Sequence, residues 1–333
     1  MRRVLVIITN PKQASYRLWI EPLRPLLPLR GVELDVQIRP RNLFRRRALL
    51  ARAGEYDAVL LFRKLLDPSD ARLLRRHARR IFFVLDDAVM FHAHAVSAFS
   101  QWRTTRRFEA TAAVVDHVVA GNEYLADFFR RRGRMVTVLP TCVDPAHYRV
   151  KNKGGDGATA DGAVRLVWIG SSSTLPYLAE QLPAIRAAAQ RVPGLRLLTI
   201  ADRTVDAAAA GVPVEHVPWS ADAEAGALAR GDIGIAPTPD DRWTRGKCGF
   251  KLIQYMAAGL PTIASPVGAN AEIVRAGQTG LLATTPQEWT TAIERLAGDA
   301  ALRRRMGLAG RERVEREYTL TRAVEMWATL LAE

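Results

Sequence analysis

The groups best able to do chemistry together are concentrated in residues 237–261, Pro237-Thr-Pro-Asp-Asp-Arg-Trp-Thr-Arg-Gly-Lys-Cys-Gly-Phe-Lys-Leu-Ile-Gln-Tyr-Met-Ala-Ala-Gly-Leu-Pro261. Lysine is rare in this chain: of 48 basic residues only six are Lys, yet Lys247 and Lys251 fall within five positions of one another. The pattern predicts a strand end, a loop, and a helix from about Cys248. Gly246 and Gly249 would let backbone approach a ligand, and the first N–H groups of the helix would be unpaired. A helix N-terminus favours anions, and Arg245, Lys247 and Lys251 stand around this one. If the helix includes Lys247, then Lys247, Lys251 and Gln254 share a face at i, i+4 and i+7. The chemistry that suits them is a diphosphate held by cations and N–H groups, with the Gln254 amide on vicinal ribose hydroxyls. Spacing alone equally allows two solvated lysines and an ordinary polar helix residue.

A second constellation closes the apolar run Ile81-Phe-Phe-Val-Leu, where Asp86 and Asp87 end a predicted buried strand. Paired carboxylates there can orient or deprotonate a hydroxyl, or stabilise positive charge on a reacting group. The plainer reading has Asp87 capping the next segment and Asp86 paired with an Arg. His92 and His94 with these two carboxylates have the residue types of a metal site. Ser15 and Arg17 open the first predicted helix and are candidate acceptor or phosphate contacts. Gly170, Ser171 and Ser172, in a Gly-Ser turn after another strand, can donate N–H and O–H groups to phosphate, or Ser171–Thr174 can simply cap the helix that follows.

These groups need a scaffold, and short apolar runs alternate with longer helical patterns along the whole chain. Strands are predicted at 3–8, 32–37, 57–61, 80–85, 116–120 and 136–138, then at 164–170, 195–200, 214–217, 232–236, 261–265 and 280–283. Helices are predicted between them, including 15–29, 43–53, 68–79, 96–113, 123–132, 177–191, 249–258, 286–297 and 311–332. Continuous rather than alternating apolar strands imply parallel sheets covered by helices. The reading is α/β with two doubly wound domains, 1–145 and 164–314, facing across a cleft and joined by a linker at 146–163. The last helix, from about 315 to 333, is expected to pack back on the first domain. A length of 333 residues suits two such domains.

Charge divides unevenly. Residues 1–150 hold 27 basic and 14 acidic side chains, and they carry nearly all of the net charge of +14. Within them, Arg41–Arg52 intersperses Arg45, Arg46 and Arg47 with Leu43, Phe44, Leu49 and Leu50. Such a basic amphipathic helix can meet an anionic acceptor or lie on an anionic bilayer, or be a solvated face. Nucleic acid is not expected, because no binding module accompanies the charge. Two cysteines exclude a disulfide framework, and no apolar run approaches the roughly 18 residues needed to span a bilayer. A cytoplasmic protein with at most peripheral membrane contact is expected.

The segment Gly249-Phe-Lys-Leu-Ile-Gln-Tyr-Met-Ala-Ala-Gly-Leu-Pro-Thr-Ile-Ala-Ser-Pro-Val-Gly268, followed by Glu272-Ile-Val-Arg-Ala-Gly-Gln-Thr-Gly-Leu-Leu282, resembles the donor-site signature of family 4 glycosyltransferases. Ala120-Gly-Asn-Glu-Tyr-Leu125, Val138-Leu-Pro-Thr-Cys-Val-Asp144 and Leu302-Arg-Arg-Arg-Met-Gly-Leu-Ala-Gly-Arg311 extend the resemblance over most of the chain. It implies a GT-B fold and transfer from a nucleotide-diphosphate sugar, with retention of configuration and no metal or other cofactor. The acceptor would be a glycan, a lipid-linked sugar or a secondary metabolite. It also places Phe250 with Lys251 at the diphosphate, and Val217 with Trp219 at the strand end that meets the base, although the indole equally reads as core. Catalytic roles fall to Asp86, Asp87 and Lys247. The family's paired glutamates correspond to Gly246 and Gln254 here, so Lys247 or the pair Asp240 and Asp241 would assume part of the first glutamate's role. A catalytically degenerate nucleotide-sugar binder or scaffold is the alternative.

Overall fold

In the computed structural model, residues 1–92, 94–150 and 162–332 are described. Residues 151–161 of the expected linker lie outside the described residues. The chain forms two compact units: unit 1 is Met1–Cys142, Asp241–Cys248 and Leu320–Glu333, and unit 2 is Val143–Asp240 and Gly249–Thr319.

Unit 1 is built on β1 (Arg2–Ile8), β2 (Val32–Ile38), β3 (Ala58–Phe62), β4 (Ile81–Leu85), β5 (His117–Ala120) and β6 (Met135–Val138), with α1 (Ala14–Trp19), α2 (Leu43–Ala51), α3 (Pro68–His77), α4 (Ala98–Val114) and α5 (Glu123–Arg130) between them. Its sheet is parallel throughout, in the order β2-β1-β3-β4-β5-β6. Every side chain of β3 and β4 is buried, as their unbroken apolar sequences require. The order reverses between β1 and β3, and in such sheets ligands bind beyond the carboxyl ends of the strands at that reversal.

Unit 2 repeats the plan with β7 (Val164–Ile169), β8 (Leu195–Ala201), β9 (Val214–Pro218), β10 (Ile233–Ala236), β11 (Thr262–Ala264) and β12 (Gly280–Leu282) in the parallel order β12-β11-β10-β7-β8-β9. Here the reversal lies between β7 and β10. Its helices are α6 (Leu175–Ala179), α7 (Leu182–Ala189), α8 (Ala207–Ala210), α9 (Glu224–Leu228), α10 (Phe250–Ala257), α11 (Ala269–Ile273), α12 (Pro286–Gly298) and α13 (Ala300–Glu317). The final helix, α14 (Leu320–Ala332), belongs to unit 1.

Strands fall close to their expected positions, but three expected helices are divided. The stretch 15–29 contains Pro22, Pro25 and Pro28, which remove N–H donors, so α1 ends at Trp19 and two 3-10 turns follow. The stretch 177–191 becomes α6 and α7, with Pro183 seated in the first turn of α7, where its missing N–H costs nothing. The stretch 311–332 is the end of α13 and all of α14. Between them Tyr318 gives its carbonyl to the N–H of Val143 at 2.9 Å, and Thr319 pairs with Val143 as an isolated bridge. No helix among the described residues is long and apolar enough to cross a membrane.

Trp327 anchors α14 in the core of unit 1, its ring 6.4 Å edge-on from that of Phe82 in β4, while Arg2 donates to the Leu331 carbonyl at 2.8 Å. Trp327→Ala is therefore expected to destabilise unit 1 by about 3–5 kcal/mol. Urea unfolding followed separately by probes in each unit tests this: an unchanged unit 1 midpoint would show that α14 contributes no packing.

Candidate functional site

Unit 1 carries a compact cluster of charge at its sheet reversal. Arg63, the first residue after β3, is the one non-glycine with a positive φ, +58°, among the described residues. A left-handed conformation in a side chain of this size stores strain, and surrounding contacts must hold it. Those contacts are present. The guanidinium donates to Asp87 Oδ2 at 2.6 Å, lies 3.2 Å (Nε) from Asp86 Oδ1, and donates to the Ser15 hydroxyl. Asp86 and Asp87 follow β4 and Ser15 lies in α1 after β1, so three strand ends converge on Arg63. Asp87 is also 3.6 Å from Lys247 Nζ, which sits 5.5 Å from the Trp243 ring centroid. Among the expected residues, Ser15, Asp86, Asp87 and Lys247 are thus brought together. The organising cation, Arg63, was missed, because nothing in an isolated Phe-Arg-Lys marks a strained turn.

Burial pushes the Asp86 carboxyl up to about 6, with Arg63 opposing the rise and Asp87 adding to it. A carboxyl that changes protonation near neutrality is suited to exchanging a proton with a hydroxyl. His92 instead bonds Thr104 at 2.9 Å, and no group of three or more His, Cys, Asp or Glu able to hold a metal occurs among the described residues.

Residues 241–248 are stitched into unit 1 by their backbone. Asn122 Nδ2 donates to the carbonyls of Lys247 (3.0 Å) and Arg245 (3.4 Å), Tyr124 donates to that of Arg242 (3.2 Å), and the Cys248 thiol donates to that of Asp86 (3.1 Å). A Cβ on Gly246 would lie 2.5 Å from that of Ala88 and 2.8 Å from its nitrogen. No larger residue fits there without moving backbone, so the position aligned with a glutamate in the resembled family has no room for one.

This changes the expected helix. Lys247 is extended (φ −74°, ψ 144°), Gly249 takes the left-handed conformation (φ +60°) as N-cap, and α10 starts at Phe250. Lys247 is outside α10 and shares no helical face with Lys251 and Gln254. The Arg245 side chain is exposed on the same segment of unit 1.

Within unit 2, Tyr255 fixes α10 against the sheet. Its phenol accepts from the Ile169 N–H at 2.9 Å and donates to the Ile235 carbonyl at 3.1 Å, spanning the ends of β7 and β10 where the order reverses. Its ring fills the space that a side chain at Gly234 would need. One turn earlier, Lys251 Nζ lies 5.0 Å from the Trp168 ring centroid, and that ring also lies where a Cβ on Gly170 would be. Lys251 and the Gly170 turn are thus gathered around one indole. Gln254 is buried and donates to the Tyr148 hydroxyl at 3.3 Å. Phe250 is half-buried at the start of α10.

The Ser-rich turn uses several of its own donors. Ser171 N–H bonds Thr174 Oγ1, Ser171 and Ser173 hydroxyls pair at 2.8 Å, and Ser172 N–H donates to Asp202 at 2.6 Å. The Ser172 side chain first, and then that backbone N–H, hold the Asp202 carboxyl below its ordinary value. Asp202 follows β8 and was also missed. Val217 is half-buried near the end of edge strand β9, but Trp219 is not core: it is 38% exposed, and its Nε1 donates to Glu224 at 2.8 Å. A polar partner at the surface serves the indole N–H better than a buried site without one.

On α2 the three arginines differ. Arg45 and Arg47 are exposed beside exposed Leu43 and Phe44, whereas Arg46 turns inward and donates to buried Asp70 at 2.7 Å. Arg17 lies on α1, half-buried.

Residues 163–299 match the family described as Glycosyl transferases group 1. No curated protein sequence matches the chain. Among solved structures, the chain is similar to sucrose-phosphate synthase from Thermosynechococcus elongatus (17% identity, TM-score 0.73, covering 99% of this chain and 98% of that one). It is also similar to HepE of Anabaena in complex with UDP and glucose (15%, 0.74, 100% of both chains). A third is WaaG, a glycosyltransferase involved in lipopolysaccharide biosynthesis (15%, 0.65, 98% and 99%). The two parallel sheets have the GT-B architecture these structures share.

The raised Asp86 carboxyl gives a stability prediction. A carboxyl whose folded value exceeds its ordinary 3.8 favours the fold when protonated, so its contribution is complete below 3.8 and lost as pH rises through about 6. Relative to Asp86→Asn, the unsubstituted chain should lose stability between about pH 4 and about pH 7, on the order of 3 kcal/mol at most. Urea midpoints for both chains across that window measure it. A difference that stays constant with pH would show that Asp86 does not ionise there.

Proposed function

We propose, from the membership of residues 163–299 in the group 1 glycosyl transferases, that this glycosyltransferase moves a sugar from a nucleotide-diphosphate donor to a glycan, lipid-linked or secondary-metabolite acceptor with retained anomeric configuration. The observation carrying the reading is α10, held by Tyr255 at the β7–β10 reversal with Lys251 in its first turn. In this reading Lys251, the α10 N–H groups and the Gly170–Ser172 turn hold the diphosphate. Gln254 takes the ribose, and Val217 with Trp219 the base. HepE has been solved with UDP and with UDP-glucose, so uridine nucleotides are the first donors to try.

As the donor bond breaks, charge grows on the departing diphosphate. A fixed ammonium and oriented N–H groups stabilise it without reorganising, which is the part a bound metal would otherwise play. No metal or cofactor enters the proposed reaction. Asp86 and Asp87 bind the acceptor hydroxyl and Asp86 takes its proton, with Lys247 and Arg63 holding Asp87 in place by ion pairs. The exposed Leu43, Phe44, Arg45 and Arg47 provide peripheral contact with an anionic membrane, on a protein read as cytoplasmic. Gly246 favours a second reading, in which the chain binds nucleotide sugar without transferring it.

Thermal unfolding with nucleoside diphosphates and UDP-glucose tests donor binding. One nucleotide class should raise Tm, and Lys251→Ala should weaken that response about ten- to a hundredfold in affinity. If no nucleotide raises Tm, the donor site is wrong; if UDP-glucose binds but is neither hydrolysed nor transferred, the second reading stands. For an active chain, kcat/KM should fall as pH drops below about 6, and Asp86→Asn should abolish that limb with a loss of about a hundredfold or more.

A further inference from the structure

Beside the Arg63 centre, unit 1 holds a second, separate cluster of charge. Arg39 follows β2, Arg46 lies in α2, Lys64 follows β3, Asp67 immediately precedes α3, Asp70 lies in its first turn, and Arg107 lies in α4. Asp70 is fully buried, and its Oδ2 takes both Arg39 (3.0 Å) and Arg46 (2.7 Å), whose side chains are only 13% and 14% exposed. Asp67 takes Arg107 at 2.7 Å and is 4.0 Å from Arg39. Lys64 makes no hydrogen bond or ion pair within 4 Å to a described residue. Four cations thus share two carboxylates. Arg39 Nε adds a donor that is buried with no hydrogen-bond partner.

An excess of two positive charges in a half-buried group is costly unless a counter-anion joins it. Burial pulls the Lys64 ammonium below its ordinary value, and the like charges of Arg39 and Arg107 add to the effect. The cluster is not sealed, since Asp67 and Arg107 remain 37% and 28% exposed. The strained turn at Arg63 gives the geometry a purpose. It sends Arg63 to Ser15, Asp86 and Asp87, while the next side chain, Lys64, is near enough to Arg39, Arg107, Asp67 and Arg46 to feel their charges. Lysine at this point is notable in a chain with six, and its ammonium is a compact point charge suited to phosphate.

We infer that Lys64, Arg39, Arg46 and Arg107 form a binding site for a phosphomonoester dianion, placed one residue along the chain from the centre proposed to activate the acceptor hydroxyl. The anion site stands on unit 1 alone. Its assignment to the acceptor, as a sugar phosphate or a lipid phosphate, rests on the function proposed above.

The test uses the full chain without donor. Inorganic phosphate and glucose 6-phosphate should raise Tm in a saturable way at constant ionic strength. Lys64→Met should weaken that response about ten- to a hundredfold in affinity and should raise Tm in phosphate-free buffer, because it removes repulsion. Lys64→Arg, which keeps the charge, should retain most of the response and serves if Lys64→Met fails to fold. Co-sedimentation with phosphatidylcholine vesicles containing phosphatidic acid identifies the source: Lys64-dependent capture assigns the phosphate to a lipid, and response to glucose 6-phosphate alone assigns it to a soluble ligand. No phosphate response, or an equal one in Lys64→Met, overturns the site. UDP stabilisation should survive in Lys64→Met and fall in Lys251→Ala. A chain that responds to phosphate but not to any nucleotide would keep this site and lose the proposed function.

Discussion

Both sheets are parallel throughout, and the rest of the structure depends on that constraint. A parallel neighbour can be reached only by a crossover, so helices cover the sheets and all loops that follow strands emerge at one edge. Each unit therefore gathers its chemistry along one edge, the carboxyl edge, with a crevice at the reversal of strand order. In unit 1 that place is filled from β1, β3 and β4 by Ser15, Arg63, Asp86 and Asp87. In unit 2 it is filled from β7 and β10 by the Gly170 turn and α10.

Close placement of charge at these edges demands partners. Asp86 and Asp87 are consecutive carboxylates at the end of a fully buried strand, a costly arrangement without a cation. Arg63 provides it at the cost of a left-handed backbone, and Lys247 adds a second positive charge. Farther along the same edge the balance is reversed, with more cations than carboxylates around Asp67 and Asp70. One centre is thus suited to handling a proton and the other to holding an anion. In unit 2 the equivalent position relies on a neutral group: burial keeps the Tyr255 phenol protonated, so its hydroxyl can both accept from one strand and donate to another.

Segment 241–248 shows how local sequence and tertiary packing can disagree. Read alone, Lys247-Cys-Gly-Phe-Lys251 is the opening of a helix with two lysines on one face. Asn122, Tyr124 and Ala88, more than a hundred residues away, instead claim its backbone for unit 1, and Gly249 reverses the chain to begin α10 two residues later than expected. The same competition explains Arg46 and Trp219. An Arg in a basic run reads as solvated until a buried Asp70 is found to face it, and a Trp reads as core until Glu224 offers its N–H a partner at the surface.

The sequence by itself determined the alternation of strands and helices, the parallel α/β class, the two-sheet plan and most strand limits, because unbroken apolar runs and turn residues act locally. It also singled out Asp86, Asp87, Lys247, Lys251 and Gln254, which are unusual in type or spacing. Tertiary structure alone decided which of these meet. Ion pairs such as Arg63 with Asp86 and Asp87, and Arg46 with Asp70, join residues 23 or more positions apart through sheet order, which no local pattern encodes. The left-handed Arg63, the break at Tyr318 and the surplus charge around Lys64 follow from packing, since each depends on which backbone and side-chain groups remain unpartnered once the sheets have formed.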